Sequence, residues 1–382
     1  MSNPSRPRRL RTADAVLTLV KGGQGVTRGD LVDRSGLSPS TVGHTVSRLL
    51  EEGVIVETVQ EKGPGTGSGR PAHILTAVPS GIPVGAIDFG HEHIRVALGD
   101  DSGTALDETL THIDVDLRAH EALDLACRAL KDLMQSRDVD RLATVVAGIP
   151  GPVDRDTGIV CSPTILSSWM GLTPRAELES RLNTPVHIEN DAVLGAFGEL
   201  RRGAGRQHQD FLYVKSSHGV GAALVIDGKI YRGSGGLAGE IGHSNLPGRS
   251  ELCRCGNRGC LEAVVTVTSV LEEIAFTHPH LDPALITLIS TADPVTGRIL
   301  EQRGWILGGV LANLCNLLNP SAVIIGGALG TTGTHFIEGV RTSVQRYTQP
   351  AIAAGMEIKA TQLGGRAELV GALEMAGDLA RL

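Results

Sequence analysis

The sequence has few aromatic residues, which make up 3% of its 382 residues. The buried core must therefore rest on Val, Leu, Ile and Ala. No apolar run approaches the roughly 18–20 residues that cross a bilayer, and the first residues lack the apolar segment of a secretory signal. These absences predict no membrane partner and a cytoplasmic location.

Positive charge is scarce over most of the chain, whose net charge is -7. Residues 1–80 hold 10 Lys/Arg and 7 Asp/Glu, a balance of +3, whereas the remainder holds 25 and 35, a balance of -10. A basic front end before an acidic body favours a polyanionic partner for the front end alone. Charge by itself fits a solvated tail equally well.

The first 80 residues carry the signals of a helix-turn-helix. Thr27 is a predicted N-cap of a helix that runs through Leu31. Residues 36–38 predict a tight turn, and Ser38 is expected to cap a third helix whose first residue is Pro39. The second helix of such a pair enters the major groove of DNA. The residues predicted to be available to DNA are Ser38, Ser40, Thr41, His44, Thr45 and Arg48.

A hairpin after the third helix predicts a wing. A strand at residues 54–56 is followed by a Gly-rich tip, and the chain returns through Ile74 and Leu75. Arg70 at this tip is placed to reach a phosphate or the minor groove. We therefore predict a winged helix-turn-helix domain over residues 1–78. The alternative is a small helical packing domain with a flexible hairpin.

Three of the six cysteines lie in the stretch CRCGNRGC. With a nearby histidine they supply one imidazole and three thiolates, the closed tetrahedral ligand set of a structural zinc site. The predicted ligands are His243, Cys253, Cys255 and Cys260. The alternative is a set of unmetallated buried cysteines. The isolated cysteines are expected to be core thiols: Cys127, Cys161 and Cys315.

From Val84 onward, short apolar strands alternate with helices, which predicts an α/β architecture with at least two sheets. The predicted strands include residues 94–98, 144–149, 185–188, 211–215, 221–226 and 322–325. In such folds ligands bind at the carboxyl ends of the strands.

The stretches AGEIGH and CRCGNRGCLE resemble the signature of the ROK family, named for repressors, open reading frames and kinases. The resemblance covers roughly residues 81–382. It implies an actin-like body of two α/β lobes, residues 81–190 with the C-terminal helix and residues 191–366, around a cleft that closes on sugar. An N-terminal winged helix is the usual arrangement of the family's repressor branch.

The resemblance also implies a set of sugar-binding residues: Asn190, Asp191, Glu240, His243 and Glu262. In family kinases the aspartate matching Asp191 takes a proton from the attacking hydroxyl. Without the resemblance, Asp191 would be interpreted as a carboxylate that stabilises a helix N-terminus. Glu240 and Glu262 would be interpreted as surface carboxylates. The metal would lock both edges of one polar pocket, since Glu240 and Glu262 flank the predicted ligands.

The predicted phosphate-binding segments depart from those of the family kinases. Asp88 and Gly90 match the first turn, but His91 and Glu92 replace its Gly-Thr pair. Glu92 would place negative charge where phosphates lie. Further along, Ser217 and His218 precede the glycines of the second phosphate segment. A separate departure concerns the sugar pocket, because the family often has a sugar-contacting asparagine near Thr164 that is missing here. Gly326 and Gly327 are retained. In family kinases they approach the adenosine of the nucleotide, but they would equally serve tight packing of a strand against a helix.

These observations predict a sugar-responsive transcriptional regulator, a repressor that binds operator DNA as a homodimer or homotetramer, without enzyme activity and with Asp191 as a vestigial base. One alternative is an ATP-dependent sugar kinase. Another is a zinc-held DNA-binding scaffold indifferent to sugars.

Overall fold

The structure of the protein is a computed structural model that describes residues 8–21, 26–59, 73–78, 81–154, 157, 159–160, 167–279 and 293–381. Its helices are α1 (Arg8–Lys21), α2 (Arg28–Ser35), α3 (Pro39–Glu51), α4 (Ala119–Ser136), α5 (Pro174–Leu182), α6 (Asp191–Arg202), α7 (Val267–Thr277), α8 (Pro294–Leu318), α9 (Gly327–Thr331), α10 (Thr334–Tyr347), α11 (Pro350–Gly355) and α12 (Ala367–Ala380). Its strands are β1 (Ile55–Val59), β2 (His73–Ala77), β3 (Val84–Phe89), β4 (His93–Gly99), β5 (Ala105–His112), β6 (Val145–Ile149), β7 (Val186–Asn190), β8 (Phe211–Ser216), β9 (Val220–Ile226), β10 (Lys229–Tyr231), β11 (Ala322–Gly326) and β12 (Glu357–Ala360).

The N-terminal unit consists of α1–α3 and the antiparallel pair β1–β2. Thr27 and Asp30 form a reciprocal capping box at the start of α2, and the Ser38 hydroxyl accepts from the Thr41 N–H at the start of α3. Gly36 adopts the left-handed conformation (φ 65°) that ends α2. Both predicted caps are confirmed. Arg70 and the tip of the hairpin lie outside the described residues.

The rest of the chain contains two five-stranded mixed sheets, which confirms the predicted α/β class. The first has the order β5-β4-β3-β6-β7 and the second the order β10-β9-β8-β11-β12. Both follow one connectivity, because in each the earliest strand is central, pairs antiparallel with the next strand and parallel with the fourth. The chain therefore contains two consecutive α/β units with the same strand connectivity.

Two helices join these units. Leu194 of α6 packs with the core of the first sheet, while Val193 and Ala196 pack with the core of the second. The helices α6 and α12 touch through glycine, since a β-carbon added at Gly371 would lie 1.8 Å from the Leu194 carbonyl oxygen. A β-carbon at Gly198 would lie 2.4 Å from the Ala367 carbonyl oxygen.

Apolar burial accounts for the cores. Aliphatic residues dominate both sheets, as the shortage of aromatics predicts, with Trp169, Tyr213 and Phe336 among the few large aromatic side chains fully buried. Cys127 and Cys315 are buried and free, as predicted, and burial raises their pKa to about 11 and about 12 respectively. Cys161 lies outside the described residues. No helix in the described ranges is long and apolar enough to cross a membrane.

Candidate functional site

The N-terminal half of α3 presents short polar side chains. Ser38, Ser40 and His44 are exposed, and Thr41 and Arg48 are partly exposed. Arg48 also forms an ion pair with Glu52, with Nε and Oε1 3.4 Å apart. These side chains share the outer surface of the helix, as predicted from its apolar pattern.

The predicted exposure of Thr45 is wrong. Its side chain retains only 9% of its accessible surface, and its hydroxyl donates to the Thr41 carbonyl oxygen at 2.8 Å. Position 45 follows buried Val42 by three residues and precedes buried Leu49 by four, so it faces the same core. The same periodicity places Ser47 outside, where it is exposed. The sequence reasoning missed this residue.

One imidazole and three thiols converge at the predicted metal ligands, His243, Cys253, Cys255 and Cys260. One ligand atom of each lies within 4.8 Å of the others. The Cys255 and Cys260 sulfurs are 3.7 Å apart, as are the Cys253 sulfur and the His243 Nδ1. A tetrahedron with Zn–S bonds of about 2.3 Å places its sulfur atoms about 3.8 Å apart, so the donor set fits zinc. A disulfide, at about 2.05 Å, does not fit.

Backbone contacts hold this cluster to two short 3₁₀ turns. One turn spans Ile241–His243 and the other Leu261–Ala263. They are tied together because the Leu261 N–H donates to the Ser244 carbonyl oxygen at 2.9 Å. Glu240 immediately precedes the first turn and Glu262 lies in the second, so a ligand set on both turns fixes both carboxylates.

His243 faces two ways. Its Nδ1 is directed at the Cys253 sulfur, while its Nε2 lies 3.8 Å from the Glu240 Oε2. Burial raises the pKa of the Glu240 carboxyl; the His243 imidazole opposes this, and the carboxylates of Glu262 and Asp191 add to it. The charges of His243, Glu262 and Asp191 therefore all act on the Glu240 carboxyl.

Asn190 and Asp191 lie where β7 meets α6. The Asn190 Oδ1 caps α6 by accepting from the Val193 N–H at 3.1 Å, and its Nδ2 donates to the Gly151 carbonyl oxygen at 2.9 Å. Asp191 is 8% exposed. Its Oδ1 accepts from the Ala192 N–H at 2.7 Å, and its Oδ2 accepts from the Lys215 ammonium at 2.8 Å.

Lys215 is a site residue that the sequence reasoning missed. It lies near the end of β8, and its Nζ is also 3.3 Å from the Glu368 Oε1 on α12. Burial lowers the pKa of the ammonium, but the carboxylates of Asp191 and Glu368 outweigh burial, and the pKa is raised above its usual value. The available signal was a lysine in the otherwise apolar strand FLYVKS, because a charge there requires a buried partner.

In the first turn, residues 90–92, the side chains of His91 and Glu92 contact residues elsewhere in the protein. The His91 Nδ1 lies 2.8 Å from Asp116 on the same lobe, and the His218 Nε2 of the second lobe lies 3.3 Å from the Glu92 Oε1. The two imidazole rings are 5.2 Å apart. Burial and the neighbouring His91 lower the pKa of His218, whereas Glu92 opposes them. A cavity of about 620 Å³ adjoins these rings, with Arg254 and Glu272 in its lining.

The retained glycines after β11 have a packing role. Gly327 has a positive φ of 75°, and a β-carbon there would lie 2.4 Å from the Ser216 carbonyl oxygen. A β-carbon at Gly326 would lie 2.3 Å from the Tyr213 hydroxyl. Of the two alternatives drawn from the sequence, tight packing is sufficient to require both glycines.

Comparisons with known proteins agree with this architecture. Residues 84–378 match the ROK family. The Bacillus subtilis xylose repressor is 29% identical over 350 residues, which cover 91% of this chain and 89% of that protein.

Solved structures extend the likeness to both parts of the chain. The crystal structure of a ROK family transcriptional regulator, a homologue of E. coli Mlc, is 22% identical, has a TM-score of 0.75, and covers 98% of this chain and 97% of that one. A Streptomyces griseus ROK glucokinase, in complex with glucose and AMPPNP, is 27% identical with a TM-score of 0.68, over 77% of this chain and 98% of that one. The family match and the paired α/β units together establish that this chain belongs to the ROK family.

Proposed function

We propose that this protein is a sugar-responsive, DNA-binding transcriptional repressor. The proposal rests on one observation: three helices and a β-strand pair precede the ROK body in the same chain. This combination matches a xylose repressor over 89% of that protein's length. The glucokinase, by contrast, covers only 77% of the chain. With DNA as its partner, the protein would act in the cytoplasm.

Operator DNA would be bound through α3. The residues proposed to contact it are Ser38, Ser40, Thr41, His44 and Arg48, with Arg70 contributing from the hairpin. Thr45 is omitted because it is buried. Two such helices in a homodimer or homotetramer would bind half-sites about 34–36 Å apart, one helical turn of DNA.

The sugar would bind in the cleft between the lobes, against Asn190, Asp191, Glu240, His243 and Glu262. Carboxylate oxygens accept hydrogen bonds from sugar hydroxyls, and the Glu240 carboxyl lies near enough to Glu262 and Asp191 for their charges to act on it. Zinc on His243 and the three cysteines would supply a rigid crosslink, with no open position for chemistry. The chain itself then positions Glu240 and Glu262 on the two 3₁₀ turns.

We further propose that the protein is not a kinase. His91 is mostly buried and held by Asp116 in the turn where kinases of this family receive phosphate. Glu92 adds negative charge, although its side chain is 74% exposed and its contact with His218 contributes little stability.

A sugar acts as an effector only through a difference in its affinity for two states of the protein. Binding across the cleft would favour closed lobes, and closure would change the spacing of the paired α3 helices. The closed state would then release the operator.

One experiment tests the proposal in two steps. Thermal-shift assays with D-xylose, D-glucose and N-acetylglucosamine, with and without Mg·ATP, should show stabilisation by at least one sugar and no further effect of nucleotide. That sugar should then release the protein from its own upstream DNA in a fluorescence-anisotropy assay.

A matched pair of variants sharpens the second step. Arg48→Ala should weaken DNA binding by about 1–3 kcal/mol, roughly 5- to 150-fold, as expected for a lost groove contact. Arg118→Ala, an exposed arginine of the first lobe, should leave it unchanged. Sugar-dependent ADP release that disappears in Asp191→Asn would instead establish the kinase alternative, and no stabilisation by any sugar would favour the sugar-indifferent scaffold.

A further inference from the structure

Asp191 belongs to a buried group of charges whose other members are not assigned to the sugar. The Lys215 ammonium lies 2.8 Å from Asp191 and 3.3 Å from Glu368, which is 4% exposed. Asp88 is 1% exposed, and its Oδ1 has no hydrogen-bond partner among the described residues. The Asp88 Oδ2 lies 3.4 Å from the His93 Nε2, whereas Asp191 and Glu368 share the Lys215 ammonium.

These groups come from four different elements. Asp88 ends β3, Asp191 begins α6, Lys215 lies on β8 and Glu368 begins α12. A buried carboxylate is costly unless it is paired and hydrogen-bonded. Lys215 supplies that partner to both Asp191 and Glu368 from its own strand.

We propose that Lys215 is the built-in counter-ion of the cleft, a positioning residue that keeps the Asp191 carboxylate ionised and fixed as a hydrogen-bond acceptor for an uncharged sugar. This inference rests on the proposed sugar-binding function. An ammonium that occupies Oδ2 also opposes proton transfer to that oxygen, so the same contact suits binding without turnover. The cleft then needs no added metal ion beside Asp191.

Sugar affinity can also vary with pH in the unaltered protein. Burial raises the pKa of the Glu240 carboxyl, and the charge of Asp191 adds to this effect. Tyr213 donates to Glu368 at 3.4 Å and carries no charge at neutral pH. The informative quantity is therefore the ratio of variant to wild-type affinity at each pH.

The test compares Lys215→Met with Lys229→Met, whose lysine is exposed on β10. Calorimetric affinities for D-xylose, D-glucose and N-acetylglucosamine would be measured at pH 8.0 and pH 5.5. Without its counter-ion the acidic group takes up a proton as the pH falls. The ratio of Lys215→Met to wild-type affinity should therefore drop about tenfold from pH 8.0 to pH 5.5, the change expected when one proton is taken up over about one pH unit of this interval. A ratio that is equal at both pH values would overturn the proposal.

A second measurement needs no sugar and separates this proposal from the function itself. The melting temperature of Lys215→Met should fall further below wild type at pH 8.0 than at pH 5.5, and adding Asp191→Asn should recover most of the loss. Lys229→Met should match wild type throughout. A deficit that is independent of pH and is not recovered by Asp191→Asn would show that Lys215 only fills space. Failure of every sugar to bind would count against the proposed function, and the melting data would still decide the role of Lys215.

Discussion

His208 is a buried titratable side chain, 7% exposed, whose two ring nitrogens are both engaged. Its Nδ1 lies 2.9 Å from the Ser321 hydroxyl, and its Nε2 lies 3.2 Å from the Lys359 ammonium. Burial lowers the pKa of His208, Lys359 lowers it further, and Glu357 opposes them. The neutral ring therefore accepts a hydrogen bond from Lys359.

This geometry predicts acid sensitivity. The folded-state pKa lies below the usual value of about 6.5, so the unfolded chain binds more protons as the pH falls below that value. The free energy of unfolding then decreases from neutral pH towards pH 5.5. His208→Gln should flatten this dependence in melting experiments, whereas His120→Gln, on an exposed position of α4, should leave it intact. Equal slopes for wild type and His208→Gln would refute the assignment.

Single side chains also mark the limit of prediction from this sequence. The members of the His-Cys cluster could be named because one imidazole and three thiols lie close in sequence. Lys215 could not, because its partners on α6 and α12 are 24 and 153 positions away. Thr45 was misplaced because polarity was given more weight than its spacing from Val42 and Leu49.

At the scale of elements, the contact between α6 and α12 depends on absent side chains. Gly371 and Gly198 each allow backbone to approach backbone, at a point where the cores of both sheets meet. Glycine within a helix lowers intrinsic helix stability by about 1 kcal/mol relative to Ala. The close approach of the two helix backbones requires glycine at these positions despite the lower helix propensity.

Gly371→Ala should therefore destabilise the ROK body despite the better helix propensity. The added methyl collides with the Leu194 carbonyl, and overpacking of this kind costs about 1–3 kcal/mol. Gly309→Ala in α8 is the matched control, since its nearest neighbour would be the Ser343 hydroxyl at 3.8 Å. Urea titrations should give a lower free energy of unfolding for the first variant and an equal or higher one for the second. The reverse order would contradict this account of the interface.

Most helices and strands could be predicted because local signals coincide with the tertiary arrangement. Thr27, Gly36 and Ser38 set the bounds of α2 and α3, and apolar runs gave the central strands. The start of the long helix α8, at Pro294, is harder to predict. Its first turns carry no strong apolar period, and an Asp293 cap with Pro at the first position provides the start.

At the scale of the whole molecule, the proposed zinc site links the cleft to overall stability. We expect purified protein to carry one zinc per chain and Cys255→Ser to lose it. The variant should melt at a lower temperature, with each kcal/mol lost lowering it by about 2–4 °C. Sugar affinity should fall by roughly 10- to 100-fold, because Glu240 and Glu262 lose their fixed positions and each hydrogen bond to a charged group contributes about 1.5–3 kcal/mol.

The control for this experiment is Ser250→Ala, an exposed position in the same loop. Metal content measured by plasma emission spectroscopy should be unchanged in this variant. If Cys255→Ser bound sugar as well as wild type, the metal would have no part in shaping the cleft.

The place of α12 has a consequence for synthesis of the protein. Leu369, Ala372 and Leu373 of this last helix cover Val84 and Ala86 on the first sheet. At about 5–20 residues per second, the ribosome adds the covering helix on the order of 15–60 s after the strand. During that interval Leu194 of α6 covers part of this apolar face, and the area later covered by Leu369, Ala372 and Leu373 stays exposed on the nascent chain. Apolar surface exposed in this way promotes aggregation and is a target for chaperones.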